Sequence, residues 1–292
     1  MNLSVVIPTL NGRERLGVCL NTLHDYAPDA ETIVVNGPSA DGTTGMIKSR
    51  EDVDVLVETA DRNANVARNV GVKLATGDAI ALLPHDRLID DSWTSAITNH
   101  LSASADAVSG PTQGADTPHT IPTLDRQEQR YNPENIAFTA DAIKSVDGFD
   151  EYLSVGGMSD LCTRLQAEKY SIDWAPAMTV HSPYGTDGGM TDIDRFEQYR
   201  SATYQLLKNR GLGPVLTGQI IKDAVTDAAH AAQKIFSGRI DLTDWFKDGK
   251  DVIRGLFTGG KDGISARYRS SSRNHSGVSA ATDHIVEVYD WR

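Results

Sequence analysis

Three short stretches of small and polar residues carry the groups best suited to holding a polar ligand: Pro8-Thr9-Leu10-Asn11, Asn36-Gly37-Pro38-Ser39-Ala40-Asp41 and Pro84-His85-Asp86. Asn11 and Asn36 offer neutral amides that both donate and accept hydrogen bonds. Asp86 brings a carboxylate and His85 an imidazole. Further on, Asp160 and Arg164 stand four residues apart in a helical pattern, the spacing of an ion pair on a helix surface. His181 closes a short apolar run and suits either a hydrogen-bonded structural role or metal ligation. Cys19 and Cys162, the only two cysteines, lie at apolar helical positions. They are too few for a disulfide framework or a thiolate zinc cage and read as core.

The elements needed to position these groups are legible around them. Residues 3–7, 31–35, 53–57 and 79–83 are apolar runs, three of them closed by Pro8, Asn36 and Pro84, the signature of buried strands. Leu16, Leu20 and Leu23 recur at helical spacing, Asp41-Gly42-Thr43 begins a second helix, and Ala67, Val70 and Leu74 share one face of a third over 63–75. Strands alternating with helices imply a parallel sheet with crossover helices. Ligands of such sheets bind outside the carboxyl ends of the strands, which here are the three polar stretches. They are therefore expected on one rim.

The middle of the chain predicts strands at 107–110, 135–138, 172–174 and 178–181. It also predicts a polar loop over 113–130, a helix at 140–146, and a helix at 159–167 capped by Ser159. Beyond about residue 186 the pattern is helical over 192–209, 215–236 and 243–257, with a polar, flexible stretch at 265–276. The expected organisation is a first half over 1–110, a second half over 111–185, and a helical region over 186–292.

Several segments resemble family 2 glycosyltransferases, in order and at family spacing. They are Val6-Ile7-Pro8-Thr9-Leu10-Asn11, the run from Ile33 to Thr43, Ala67-Arg68-Asn69-Val70-Gly71 with Ala75-Thr76-Gly77-Asp78, Leu82-Leu83-Pro84-His85-Asp86, Gly148-Phe149-Asp150-Glu151, Asp160-Leu161-Cys162-Thr163-Arg164 and Val180-His181. The resemblance implies the α/β GT-A fold, a mixed sheet flanked by helices. It also implies a nucleotide-sugar half over 1–110 and an acceptor half over 111–185, with a nucleoside-diphosphate sugar as donor, bound by Pro8, Thr9, Asn11, Asn36, Arg68 and Asp86. A divalent Mn or Mg ion would be held by Asp86 and His181, and transfer would proceed with inversion. Three positions depart from the family pattern. Asn36 replaces an aspartate, Pro84 replaces the first carboxylate of Asp-x-Asp, and Gly157-Met158 stand where a Glu-Asp pair carrying the catalytic base is usual.

Asp160 is the nearest surviving carboxylate and is expected to act as base. An acceptor hydroxyl needs such a base, whereas an acceptor phosphate arrives already ionised. The expected acceptor is therefore a lipid-linked glycan or the lipid phosphate itself. The alternative is a non-catalytic family member that binds nucleotide or a partner enzyme. A nucleotidyltransferase is the weaker rival, since the loop from Pro8 to Arg13 has one glycine. The stretch from Val252 to Gly263 resembles tails of archaeal relatives that act on lipid-linked glycans. The C-terminal helices are expected to pack on the catalytic domain, to touch a membrane surface, or to pair with a second copy.

Composition narrows the choice. Asp+Glu number 40 against Lys+Arg 28, a net charge of −12, so the chain lacks the basic footprint of a nucleic-acid binder. Aspartate exceeds glutamate and arginine exceeds lysine, a texture suited to high salt. There is no apolar run of membrane-spanning length, and no basic segment precedes the first apolar run. The expected location is cytoplasmic, at the inner face of the cell membrane. The sequons at Asn2 and Asn274 carry little weight there.

Overall fold

The structure is a computed structural model that describes residues 1–114, 131–183, 195–211, 242–268 and 284–292. The four early apolar runs form β1 (Leu3–Thr9), β2 (Glu31–Asn36), β3 (Val55–Thr59) and β4 (Ala79–Leu82), all parallel. Their side chains alternate between two cores, as the two-residue period of a strand dictates. Val5 and Ile7 pack with Leu16, Cys19, Leu20 and Leu23 of α1 (Arg13–Tyr26). Val6 packs on the opposite side with Val66, Ala67 and Val70 of α3 (Ala64–Leu74). Between them, α2 (Thr43–Lys48) links β2 to β3. The Asn63 side chain caps α3 by accepting from Asn65 N at 2.8 Å.

The second half supplies β5 (Leu88–Ile89), α4 (Trp93–Ala103), β6 (Ala107–Ser109), β7 (Thr112–Gln113), β8 (Ile136–Thr139), α5 (Ala140–Ser145), α6 (Gly157–Ala167), β9 (Ile172–Trp174) and β10 (Val180–His181). The chain then forms α7 (Arg195–Arg210), α8 (Leu242–Tyr268) and β11 (Ile285–Asp290). The main sheet has the order β11-β3-β2-β1-β4-β8-β6-β9, and a small sheet has the order β5-β10-β7. β8 runs antiparallel to β4 and β6, and β11 runs antiparallel to β3, so the sheet is mixed.

Four features differ from the sequence expectations. α4 was not anticipated, although Trp93, Ala96, Ile97 and Leu101 bury one helical face. Trp93 Nε1 donates to Asn135 Oδ1 at 2.9 Å, which ties that helix to the start of β8. α6 begins at Gly157 rather than behind a Ser159 cap, because Gly156 turns the chain at φ 76° and its carbonyl accepts from Gln205 Nε2 at 3.0 Å. α8 continues to Tyr268, through part of the stretch expected to be flexible. Its Gly255, Gly259 and Gly263 lie against the α7 backbone, where an added Cβ would come within 2.6, 2.2 and 2.7 Å of the carbonyl oxygens of Phe196, Arg200 and Tyr204. Finally, residues 285–290, expected in a helical region, extend the main sheet as a strand beside β3. The expected loop beyond 114 and the helix over 215–236 lie outside the described residues.

Candidate functional site

The loops at the carboxyl ends of β1, β2 and β4 are bonded to one another. Gly37 N donates to Thr9 O at 2.9 Å, Asn11 N to Ser39 Oγ at 2.8 Å, and Ala40 N to Asn11 Oδ1 at 2.8 Å. Asn11 has φ 51°, a left-handed conformation that asparagine tolerates better than most residues. Arg13 N donates to Asp41 Oδ2 at 3.0 Å. On the β4 side, the His85 ring bonds the Pro8 carbonyl, and a Cβ at Gly12 would lie 2.6 Å from the His85 ring and 2.7 Å from Thr9 Oγ1. Burial lowers the His85 pKa despite the opposing charge of Asp86. Thr9 Oγ1 is enclosed and has no hydrogen-bond partner among the described residues.

Asn36 is 1% exposed and sits in a chain of polar groups. Its Oδ1 accepts from Ser39 Oγ at 2.6 Å, and its Nδ2 donates to Thr44 Oγ1 at 3.0 Å. Thr44 donates in turn to Glu58 Oε1 at 2.6 Å. Lys48 Nζ stands 4.0 Å from Glu58 and donates to Tyr289 Oη of β11 at 2.5 Å. The last strand therefore reaches the neighbourhood of Asn36, and the amide has a defined orientation.

Arg68 projects from α3. Its Nη1 donates to Asn65 Oδ1 at 2.8 Å, and its guanidinium lies 5.3 Å from the Phe149 ring centre. Among the described residues no carboxylate pairs with it. Burial lowers its pKa to about 10, so it remains a cation at neutral pH. Its other N–H groups face no acceptor among the described residues, which suits a negatively charged ligand.

Asp86 is 5% exposed and its carboxylate forms an ion pair with Arg87 Nη1 at 2.8 Å, with Arg15 Nη1 at 4.0 Å. Arg87 also meets Glu134 at 2.8 Å. Sequence reasoning missed Arg15 and Arg87. Arg87 had a local signal in being adjacent to Asp86, but Arg15 reaches Asp86 only through the fold. His181 lies across the β10–β5 pairing from Leu88, and its Nε2 is 3.3 Å from Asp90 Oδ2. No hydrogen bond or ion pair joins Asn36, Arg68 and Asp86 to one another; their loops and helices bring them to the same end of the sheet.

Asp160 is fully enclosed. Its carboxylate accepts from Arg164 Nε at 2.8 Å, Lys208 Nζ at 3.0 Å and Asn209 Nδ2 at 2.9 Å. Lys208 also donates to Asp150 Oδ2 at 2.6 Å. Burial alone would raise the Asp160 pKa. The charges of Arg164 and Lys208, together with these hydrogen bonds, outweigh it and hold the group below the ordinary carboxylate range. The geometry places Asp160 between α6 and α7, where its carboxylate is bonded to side chains of both helices. Cys19 and Cys162 are buried thiols, with burial pushing Cys19 up to about 12 and Cys162 upward as well.

Parallel strands with crossover helices, an antiparallel neighbour after β4, and a polar rim at the strand ends define a GT-A-type nucleotide-sugar transferase fold. Residues 4–149 match the family described as Glycosyl transferase family 2, and the chain belongs to that family. It is 25% identical over 198 residues to the glycosyltransferase AglE of Haloferax volcanii, a match covering 59% of this chain. The matched part spans 64% of that relative's length. Among solved structures, the chain resembles the mannosyltransferase PcManGT of Pyrobaculum calidifontis in complex with GDP-Man and Mn2+. That match has a TM-score of 0.58 and 16% identity, covering 88% of this chain and 86% of that one. It also resembles S. aureus TarS in complex with UDP-GlcNAc, with a TM-score of 0.58, 17% identity and coverage of 92% and 91%.

Such relatives raise the question of a divalent ion. Hard cations take several oxygen ligands. Here position 84 is proline, the oxygens of Asp86 face Arg87 and Arg15, and His181 faces Asp90. Among the described residues no three His, Cys, Asp or Glu side chains gather to hold an ion. The donor set does not fit one. Asp86 is an arginine-paired carboxylate and His181 an aspartate-bound imidazole.

Proposed function

We propose that the chain transfers a sugar from a nucleoside-diphosphate donor to a lipid phosphate or lipid-linked glycan, with inversion at the anomeric carbon. The observation that carries this reading is the bonding of three strand-end loops into one rim, with Arg68 on the neighbouring α3 as a cation that no carboxylate among the described residues pairs with. Asn36 and Asn11 hold base and ribose by neutral hydrogen bonds, with Pro8 and Thr9 forming the floor. Arg68 and Arg15 meet the diphosphate charge, which grows on the leaving oxygen as the glycosidic bond breaks. The acceptor oxygen attacks the opposite face of the sugar, and the nucleoside diphosphate leaves with the bonding pair.

An acceptor hydroxyl must lose its proton during this attack. Met158 stands at the usual base position and is 5% exposed, and Asp160 is held by cations. This supports an acceptor that brings its own negative charge, hence a lipid phosphate. The site of action is then the inner face of the membrane. The test is a panel of nucleotide sugars in high salt against lipid-phosphate and lipid-glycan acceptors. Turnover on lipid phosphate supports an acceptor that brings its own charge, turnover on the lipid-linked glycan alone contradicts that preference, and turnover on soluble sugars but neither lipid acceptor contradicts the reading. The same base-poor site supports a second reading, a non-catalytic family member; nucleotide binding without transfer to either acceptor would establish it.

A further inference from the structure

The exposed face of α8 carries two large apolar side chains one turn apart, Ile253 at 69% and Phe257 at 77% exposure, and Tyr268 further along at 67%. An α-helix advances about 100° per residue, so these three share one side. Lys250, Arg254 and Lys261 flank that side and are exposed. The acids of the same stretch lie elsewhere. Asp262 accepts from Tyr152 on the inward side, and Asp251, half-buried, points away from Ile253. The glycine row packs on α7, with the Arg254 guanidinium at the margin 5.0 Å from the Phe196 ring centre, which leaves Ile253, Phe257, Lys250 and Lys261 outward.

In a chain of net charge −12, a helix face that segregates its cations around exposed apolar residues has a specific complement. We propose that this face of α8 docks on an anionic lipid surface, with Ile253 and Phe257 entering the headgroup boundary and Lys250 and Lys261 meeting lipid phosphates. A second copy of the chain is a poorer fit. A two-fold contact through this face would set one basic flank near the other. In its purpose the inference rests on the lipid-linked acceptor proposed above, since docking would bring the rim to the carrier.

The test is flotation of the full chain with phosphatidylglycerol vesicles and with phosphatidylcholine vesicles, at low and high salt. The expected result is partition onto the anionic vesicles, weakened by salt. Ile253→Asp with Phe257→Asp should reduce it at least tenfold, and Lys250→Glu with Lys261→Glu should abolish the preference for anionic lipid. Thermal melts of both variants should match the parent. Equal partition onto both vesicle types, variants that float like the parent, or a dimer in sedimentation that Phe257→Asp dissociates without any vesicle binding would each overturn the proposal. Vesicle binding is read without sugar transfer. Transfer to a water-soluble acceptor, expected to be unchanged in these variants, reports separately on the activity.

Discussion

Replacing Asp160 by asparagine separates a structural carboxylate from a catalytic one. Asp160 is 0% exposed and accepts from Arg164, Lys208 and Asn209. Removing one partner of a buried ion pair typically costs about 3–5 kcal/mol. The lower end applies, because Lys208 retains Asp150 at 2.6 Å and Arg164 retains the Gly148 carbonyl at 2.6 Å. A loss of about 3 kcal/mol lowers the Tm of a chain this size by roughly 6–12 °C. The pH dependence has a definite sign. The folded-state pKa is depressed, so the stabilisation is complete above the unfolded value of about 3.9 and is lost as pH falls below it towards the folded value. Asp160→Asn should remove that part of the acid-side slope. Calorimetric melts between pH 3 and 7 (about the range where carboxylates titrate) measure it, alongside kcat well below the variant's Tm. A variant with unchanged Tm and a kcat reduced by orders of magnitude would refute the argument and return Asp160 to the role of base.

Arg68→Met should weaken nucleoside-diphosphate binding about 10- to 100-fold, the loss of charged hydrogen bonds worth about 1.5–3 kcal/mol. Its Tm should hold or rise because the buried cation has no carboxylate partner among the described residues, only the Asn65 amide and the Phe149 ring; titration calorimetry and a melt check both. Glu58→Gln should raise donor KM about two- to tenfold with kcat unchanged, since Thr44 would lose its charged acceptor and Asn36 its fixed orientation; steady-state kinetics separate the two constants. Chelation should leave turnover within about twofold of the untreated chain, because the oxygens of Asp86 already face arginines, and a loss on EDTA that Mn2+ restores would contradict the fit. Gly71→Ala would place a Cβ 2.2 Å from Val6 Cγ1 between α3 and β1, and chemical denaturation should show a loss of about 1–3 kcal/mol.

What the sequence disclosed depended on how local the cause was. β1 to β4 were legible because each is a short apolar run, with Pro8, Asn36 and Pro84 marking the ends of β1, β2 and β4. The meeting of their loops followed from the handedness and order of parallel strands. The Asp160–Arg164 pair was legible at helix spacing. Its partner Lys208 was not, because it lies 48 residues on and reaches Asp160 only when α7 packs on α6. The arginines beside Asp86 and the approach of Tyr289 to Glu58, 231 residues apart, likewise arise from packing across the sheet. β11 had a local signal in Ile285-Val286-Glu287-Val288-Tyr289, but Val286 and Val288 are exposed, so no core-facing stripe marked it.

The central claim is that the strand-end loops and α3 form one donor site. Titration calorimetry of UDP and GDP into the chain, into Asn36→Ala and into Arg68→Met tests it most directly. The account predicts that at least one nucleotide binds the parent, that both substitutions weaken it, and that saturation at about 100 times Kd raises stability by about 2.7 kcal/mol. Binding of neither nucleotide, or binding untouched by both substitutions, would contradict it.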